Sequence, residues 1–148
     1  MVTKQGTFWT AAALAGCAAI AVPAMAMMPR LPSEQYEGSV GYVTGGIGET
    51  EAHAFERAMS RHPLAIELLE HAGKAEEFTA DTMIRIVDRQ GHTVLSAQAQ
   101  GPFMLVDLPP GRYSIAATLR NVTLKKPDLF VGRNQLSRAT FEFPANTD

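Results

Sequence analysis

Two spacings of apolar residues divide this chain. Between residues 49 and 61 they recur at helical intervals, and beyond Pro63 they alternate. Ala52, Phe55 and Met59 fall at i, i+3 and i+7, a narrow apolar stripe that predicts a helix over 49–61. Glu49 and Glu51 lie in its first turn, where acids favour the helix dipole, and Pro63 ends it. Leu64, Ile66 and Leu68 then alternate with Ala65, Glu67 and Leu69, the period of a strand.

The rest of the chain follows the same rule. Thr82–Val87 is rich in β-branched residues, with Ile84 and Ile86 on the expected buried face, and Thr93–Ala97 would be its partner. Asp88-Arg89-Gln90-Gly91 between them has the residues of a tight turn. Phe103–Val106 is apolar on both faces, as expected for the middle of a sandwich. Pro109-Pro110-Gly111 predicts a type II turn with Gly111 at positive φ. Tyr113, Ile115, Ala117 and Leu119 alternate next. Two short runs follow, Val122–Leu124 and Leu129–Val131, and then a last strand with Ala139, Phe141 and Phe143 inward. A short strand is predicted over Ser39–Val43, a flexible loop at Gly45, Gly46 and Gly48, and a polar loop through Gly73, Glu76 and Glu77. The expectation is a mainly β sandwich of about seven strands with one N-terminal helix packed against it.

The first 26 residues stand apart. Lys4, the apolar Ala-rich run Phe8–Val22, Pro23 and the small residues Ala24-Met25-Ala26 read as a signal peptide cut after Ala26. A second reading overlaps it: Leu14-Ala15-Gly16-Cys17 resembles a lipobox, which would make Cys17 an acylated first residue. The mature protein is therefore expected in the periplasm, with a lipid-anchored form as the alternative. Residues 27–38 read as a tether, 39–62 as Gly-rich loop and helix, 63–144 as the sandwich and 145–148 as a tail. Cys17 is the single cysteine, so a chain cut after Ala26 has no disulfide, thiolate ligand or thiol nucleophile. No other apolar run approaches the ~18 residues of a membrane span.

The runs Ile84–Gly91, Gly101-Pro102-Phe103-Met104-Leu105 and Leu108-Pro109-Pro110-Gly111-Arg112-Tyr113 together resemble the carboxypeptidase regulatory-like domain, over residues 80–143. That resemblance implies a transthyretin-like sandwich and an accessory or binding module rather than an enzyme. In that resemblance the Asp, Gly and Pro residues shape turns, and fold alone does not decide function. Gly41–Glu49 followed by a helix resembles the start of small proteobacterial periplasmic proteins that carry this domain. The chain departs from the family pattern where the Gly-rich loop, the helix and Leu64–Glu70 replace the usual first strand.

Composition narrows the function classes. The net charge of −2 gives no footprint for nucleic acid. Residues 27–81 hold ten acids and four bases and residues 82–148 five acids and eight bases, a split that one fold can neutralise. No catalytic, cofactor or metal constellation emerges. Val43–Gly48 lacks the βαβ context of a dinucleotide loop. His53, His62, His71 and His92 show no metal-ligand spacing; Glu49 and His53 share a helix face as a surface pair. Tyr36, Tyr42, Phe78 and Phe130 are the candidates for a sugar-stacking platform, with loop aromatics covering the sandwich ends as the competing reading.

The function expected is a non-enzymatic module that binds a protein or carbohydrate partner in the cell envelope. The first contact region is Tyr42–Glu51, with Tyr42, Thr44, Gly45, Gly46, Gly48 and Glu49, because glycines give mobility and a helix start offers unpaired N–H groups. Arg120, Lys125 and Lys126 form a second, basic region. Two alternatives stand beside it. One is a structural role in which loop and helix cap a sandwich edge. The other is a hydrolase whose His, acid and Ser or Thr meet only in the fold.

Overall fold

The computed structural model describes residues 30–72 and 75–145, without the side chains of 72 and 75–78. The segment expected to be a signal peptide, with Cys17, Ala24 and Ala26, the first residues of the expected tether, Gly73 of the predicted polar loop and the last three tail residues lie outside the described residues.

Among the described residues ten strands form two sheets. The larger holds β1 (Gln35–Glu37), β2 (Val40–Gly45), β7 (Phe103–Asp107), β3 (Leu64–Ala72) and β10 (Ser137–Phe143) in that order, and β4 (Ala75–Phe78) pairs with the far half of β3. The smaller holds β6 (Thr93–Ala99), β5 (Thr82–Asp88), β8 (Gly111–Leu119) and β9 (Val122–Val131). All pairings are antiparallel except β3 with β10, which run parallel over Leu64–Glu70 and Ser137–Phe143.

Alternation decides which side chains are buried. Leu64, Ile66 and Leu68 of β3, Phe141 and Phe143 of β10, Ile84 and Ile86 of β5, and Ile115 and Ala117 of β8 fill the space between the sheets. A second apolar cluster covers the outer face of the larger sheet. There the helix α1 (Glu49–Ala58), continued by a 3-10 turn at Met59–Arg61, lays Phe55, Ala58 and Met59 on Val43, Ala65, Phe103 and Leu105. Strand β7 thus faces apolar surroundings on both sides: Met104 and Val106 point to the inter-sheet core, Phe103 and Leu105 to the helix. The expected helix and the two-faced strand are both present, but the second face of β7 is covered by helix, not by sheet.

Several expected loops are strands. The tether contains β1, and β2 runs through Gly45 because β7 offers it a full ladder, Gly45 opposite Phe103. The Glu76-Glu77 segment is part of β4. Gly111 opens β8 opposite Val131 and does not take a positive φ. The two runs after Leu119 are one strand: β9 absorbs Pro127-Asp128 as a bulge opposite Ser114, with Asp128 at φ 56°, and keeps its pairing. β9 lies at the end of its sheet, where a proline costs no ladder bond.

Candidate functional site

The expected contact region, Tyr42–Glu51, divides into a buried half and an exposed half. Thr44, Gly45 and Gly46 are buried. A side-chain carbon on Gly46 would lie 2.4 Å from the Phe103 ring, and the residue has φ +95°. The backbone of Gly45 is equally crowded by Gly101, whose added carbon would meet the Gly45 carbonyl oxygen at 2.2 Å. These glycines allow close approach of chain to chain; they do not form a flexible loop. Tyr42 is half-buried, packs against the inter-sheet core and donates its hydroxyl to Gln35.

Ile47, Gly48 and Glu49 are exposed. They open a groove of about 560 Å³ between the first turns of α1 and the segment Thr79-Ala80, with Pro102 completing the wall. Its surface is largely apolar, supplied by Gly46, Ile47, Ala52, Ala80 and Pro102. Ile47 is 66% exposed. Along the rim, Glu49, His53 and Glu56 share one helix stripe. His53 Nδ1 is 3.0 Å from Glu56 Oε2, and Nε2 is 3.7 Å from Glu49 Oε1. The hydrogen bond to Glu56, helped by the charges of Glu56 and Glu49, holds the His53 pKa above its ordinary value. The rim therefore carries more negative than positive charge. Acids also occupy the helix start, where Gly48 provides no capping side chain.

Comparison with protein-family models, curated proteins and solved structures finds no match to this chain.

The basic region does not act as a unit. Arg120 pairs with Glu70 at 3.7 Å, and Lys126 lies over the Phe141 ring, 5.7 Å from its centroid. Lys125 faces outward beside Ala116 and Arg85 on the open face of the smaller sheet. The candidate aromatics are also scattered. Tyr36 is on β1 and donates to Glu34, which raises its pKa, while Phe130 is on β9 under the Arg112 guanidinium. β1 borders β6 and β9 borders β10, so the two rings lie at opposite edges of the sandwich. The side chain of Phe78 lies outside what is described.

At the other end of α1, His62 Nδ1 is 2.9 Å from Asp107 Oδ1. Ser60 lines the same hollow as His62. Among the described residues no hydrogen bond joins Ser60 to His62. No group of three or more metal-ligating side chains occurs among the described residues, and no described helix is long and apolar enough to cross a membrane.

The sequence pointed to Tyr42–Glu51 but not to the groove beside it. His53, Glu56, Thr79, Ala80 and Pro102 come together only in the tertiary structure. Ile47 did carry a signal, as an apolar residue between glycines that belongs to neither helical nor strand periodicity.

Proposed function

We propose that this protein is a non-enzymatic binding module of the cell envelope and that its partner is a protein. The groove beside α1 receives an apolar side chain of that partner, and the acidic rim receives a neighbouring cation. The carrying observation is Ile47, two-thirds exposed at the mouth of a largely apolar groove rimmed by Glu49 and Glu56. An exposed branched apolar residue beside a concave apolar surface is typical of an interaction site rather than of a solvent face. The separation of the aromatic side chains supports a protein over a glycan, which would need a shared stacking surface. The signal-like leader supports the envelope as the place of action. Gly45 and Gly46 are taken up in close packing, whereas Ile47 and Glu49 stand exposed at the groove.

A photo-reactive residue at position 47, introduced into the full-length chain in bacterial cells, tests this. The expected result is a discrete protein cross-link that is lost in Glu49→Lys/Glu56→Lys while the purified variant keeps its melting temperature. A residue at the exposed Met83 serves as control. Equal labelling from positions 47 and 83 would overturn the proposal, as would retention on a glycan array without any protein cross-link.

A further inference from the structure

The hollow at the C-terminal end of α1 has a chemistry opposite to that of the groove. Its volume is about 420 Å³. The 3-10 turn supplies Ser60 and Arg61, the approach to β3 supplies His62 and Pro63, and the β9–β10 connection supplies Gly132, Arg133, Asn134 and Gln135. Leu108 and Pro110 complete the lining. Every charged side chain in this lining is basic. Arg61 and Arg133 are exposed, and among the described residues neither forms an ion pair. Beside the lining, the half-exposed Asp107 carboxylate can only accept, so Nδ1 of His62 carries the proton between them and the ring is held in one orientation.

The loops that present these groups are fixed. Ser137 N–H donates to the Pro63 carbonyl at 2.9 Å, and Ser137 Oγ donates to the Phe130 carbonyl at 2.7 Å, which ties both ends of the β9–β10 connection. Tyr113 Oη donates to the Pro109 carbonyl at 2.8 Å and holds the β7–β8 turn. His62 N–H returns to the Met59 carbonyl at 3.1 Å and closes the 3-10 turn. These bonds fix the two segments from which Arg61 and Arg133 reach the hollow. The negative end of the α1 dipole, equivalent to about half a charge, and the Asp107 carboxylate are nearby, and the two guanidiniums outweigh them together.

We infer that this hollow binds an oxyanion, the carboxylate or phosphate of a small ligand or of a ligand's terminus. Arg61 and Arg133 supply the charge and the forked donors that fit such a group. Ser60, Asn134 and Gln135 add neutral donors, and the pair His62–Asp107 braces one wall. The site lies a helix length from the groove, about 15 Å along the axis, and does not depend on the protein partner proposed there.

Titration calorimetry of the purified chain at low ionic strength, with inorganic phosphate and with acetate as separate probes, tests the site. Saturable binding of either probe is expected, weakened about tenfold or more by Arg61→Gln and by Arg133→Gln. Both arginines are exposed, so both variants keep the parent melting temperature. Phosphate alone would identify a phosphorylated ligand and acetate alone a carboxylate; either upholds the site. Arg89→Gln, in the exposed β5–β6 turn, controls for general charge. Failure of both probes to saturate, or an equal loss in Arg89→Gln, would overturn it.

Discussion

The hydroxyl of Thr44 accepts the backbone N–H of Gln100 at 3.0 Å and donates to the carbonyl of Phe103, also at 3.0 Å. Thr44 belongs to β2 of the larger sheet, and Gln100 follows the last residue of β6 in the smaller one. One buried side chain thus satisfies a strand end in each layer where the sheets meet. A few residues away, the Glu37 carboxylate accepts the N–H of Ser96 at 2.9 Å. Side chains of the larger sheet therefore occupy the open hydrogen-bonding edge of β6, an edge that would otherwise invite pairing with another chain.

Thr44→Val keeps the shape and removes both bonds. The Phe103 carbonyl and the Gln100 N–H would each lose the Thr44 hydroxyl, at a cost of about 1–3 kcal/mol. Urea unfolding should show a lower midpoint with an unchanged slope. An unchanged midpoint would mean that water enters the corner and replaces the hydroxyl.

Gly46→Ala and Gly48→Ala separate steric from conformational cost. Both residues have positive φ, +95° and +85°, but only at Gly46 does the added carbon collide, with the Phe103 ring; at Gly48 nothing lies within 4 Å. Gly48→Ala should cost about 1–3 kcal/mol from backbone strain alone. Gly46→Ala should cost clearly more, because Phe103 is held between sheet and helix. Equal melting temperatures for the two variants would show that Phe103 can move aside.

Asp88 shapes the β5–β6 turn. Its Oδ1 accepts the N–H groups of Gln90 and His92, both at 2.9 Å, and Oδ2 lies 3.3 Å from His92 Nδ1. Partial burial works against its charge, but the His92 and Gln90 N–H groups and the His92 ring outweigh it and lower the pKa from 3.8. A lowered folded-state pKa means that the stabilisation is fully present above 3.8 and is lost as pH falls through the lowered value. Asp88→Asn should therefore flatten the acid limb of the stability curve relative to the parent. Superimposable acid limbs would assign that limb to other carboxylates.

The turn at Asp88–Gly91 was legible because it is local: Asp at its first position and Gly91 at φ +86° satisfy it without help from elsewhere. The helix and the alternating strands were legible for the same reason, since their apolar spacing alone fixes which face is buried. The elements missed depend on distant partners. Gly45 resembles loop until β7 lies beside it, and Pro127 resembles a break until a bulge takes up the extra residue. The parallel pairing of β3 with β10 joins residues some seventy positions apart and leaves no mark in either segment. The candidate site follows the same division. Glu49 and His53 were recognisable as one helix face, whereas the wall made by Thr79, Ala80 and Pro102 was not.

Phe55 shows how the helix is held. Its ring is fully buried and stacks on Phe103, with centroids 5.8 Å apart and planes 15° from parallel. Phe55→Ala removes that contact and leaves a cavity between α1 and β7, at a cost of about 3–5 kcal/mol. The inter-sheet cluster does not include Phe55, so its residues keep their neighbours. The loss should therefore fall first on the outer layer. In native-state hydrogen exchange, amides of α1 should lose most of their protection while those of β5 and β8 follow only the drop in global stability. The groove should fail with the helix, because Ala52, His53 and Glu56 line it from α1. Uniform loss of protection across α1, β5 and β8 would instead show that helix and sandwich unfold as one unit, with Phe55 as much a part of the sandwich core as Ile84.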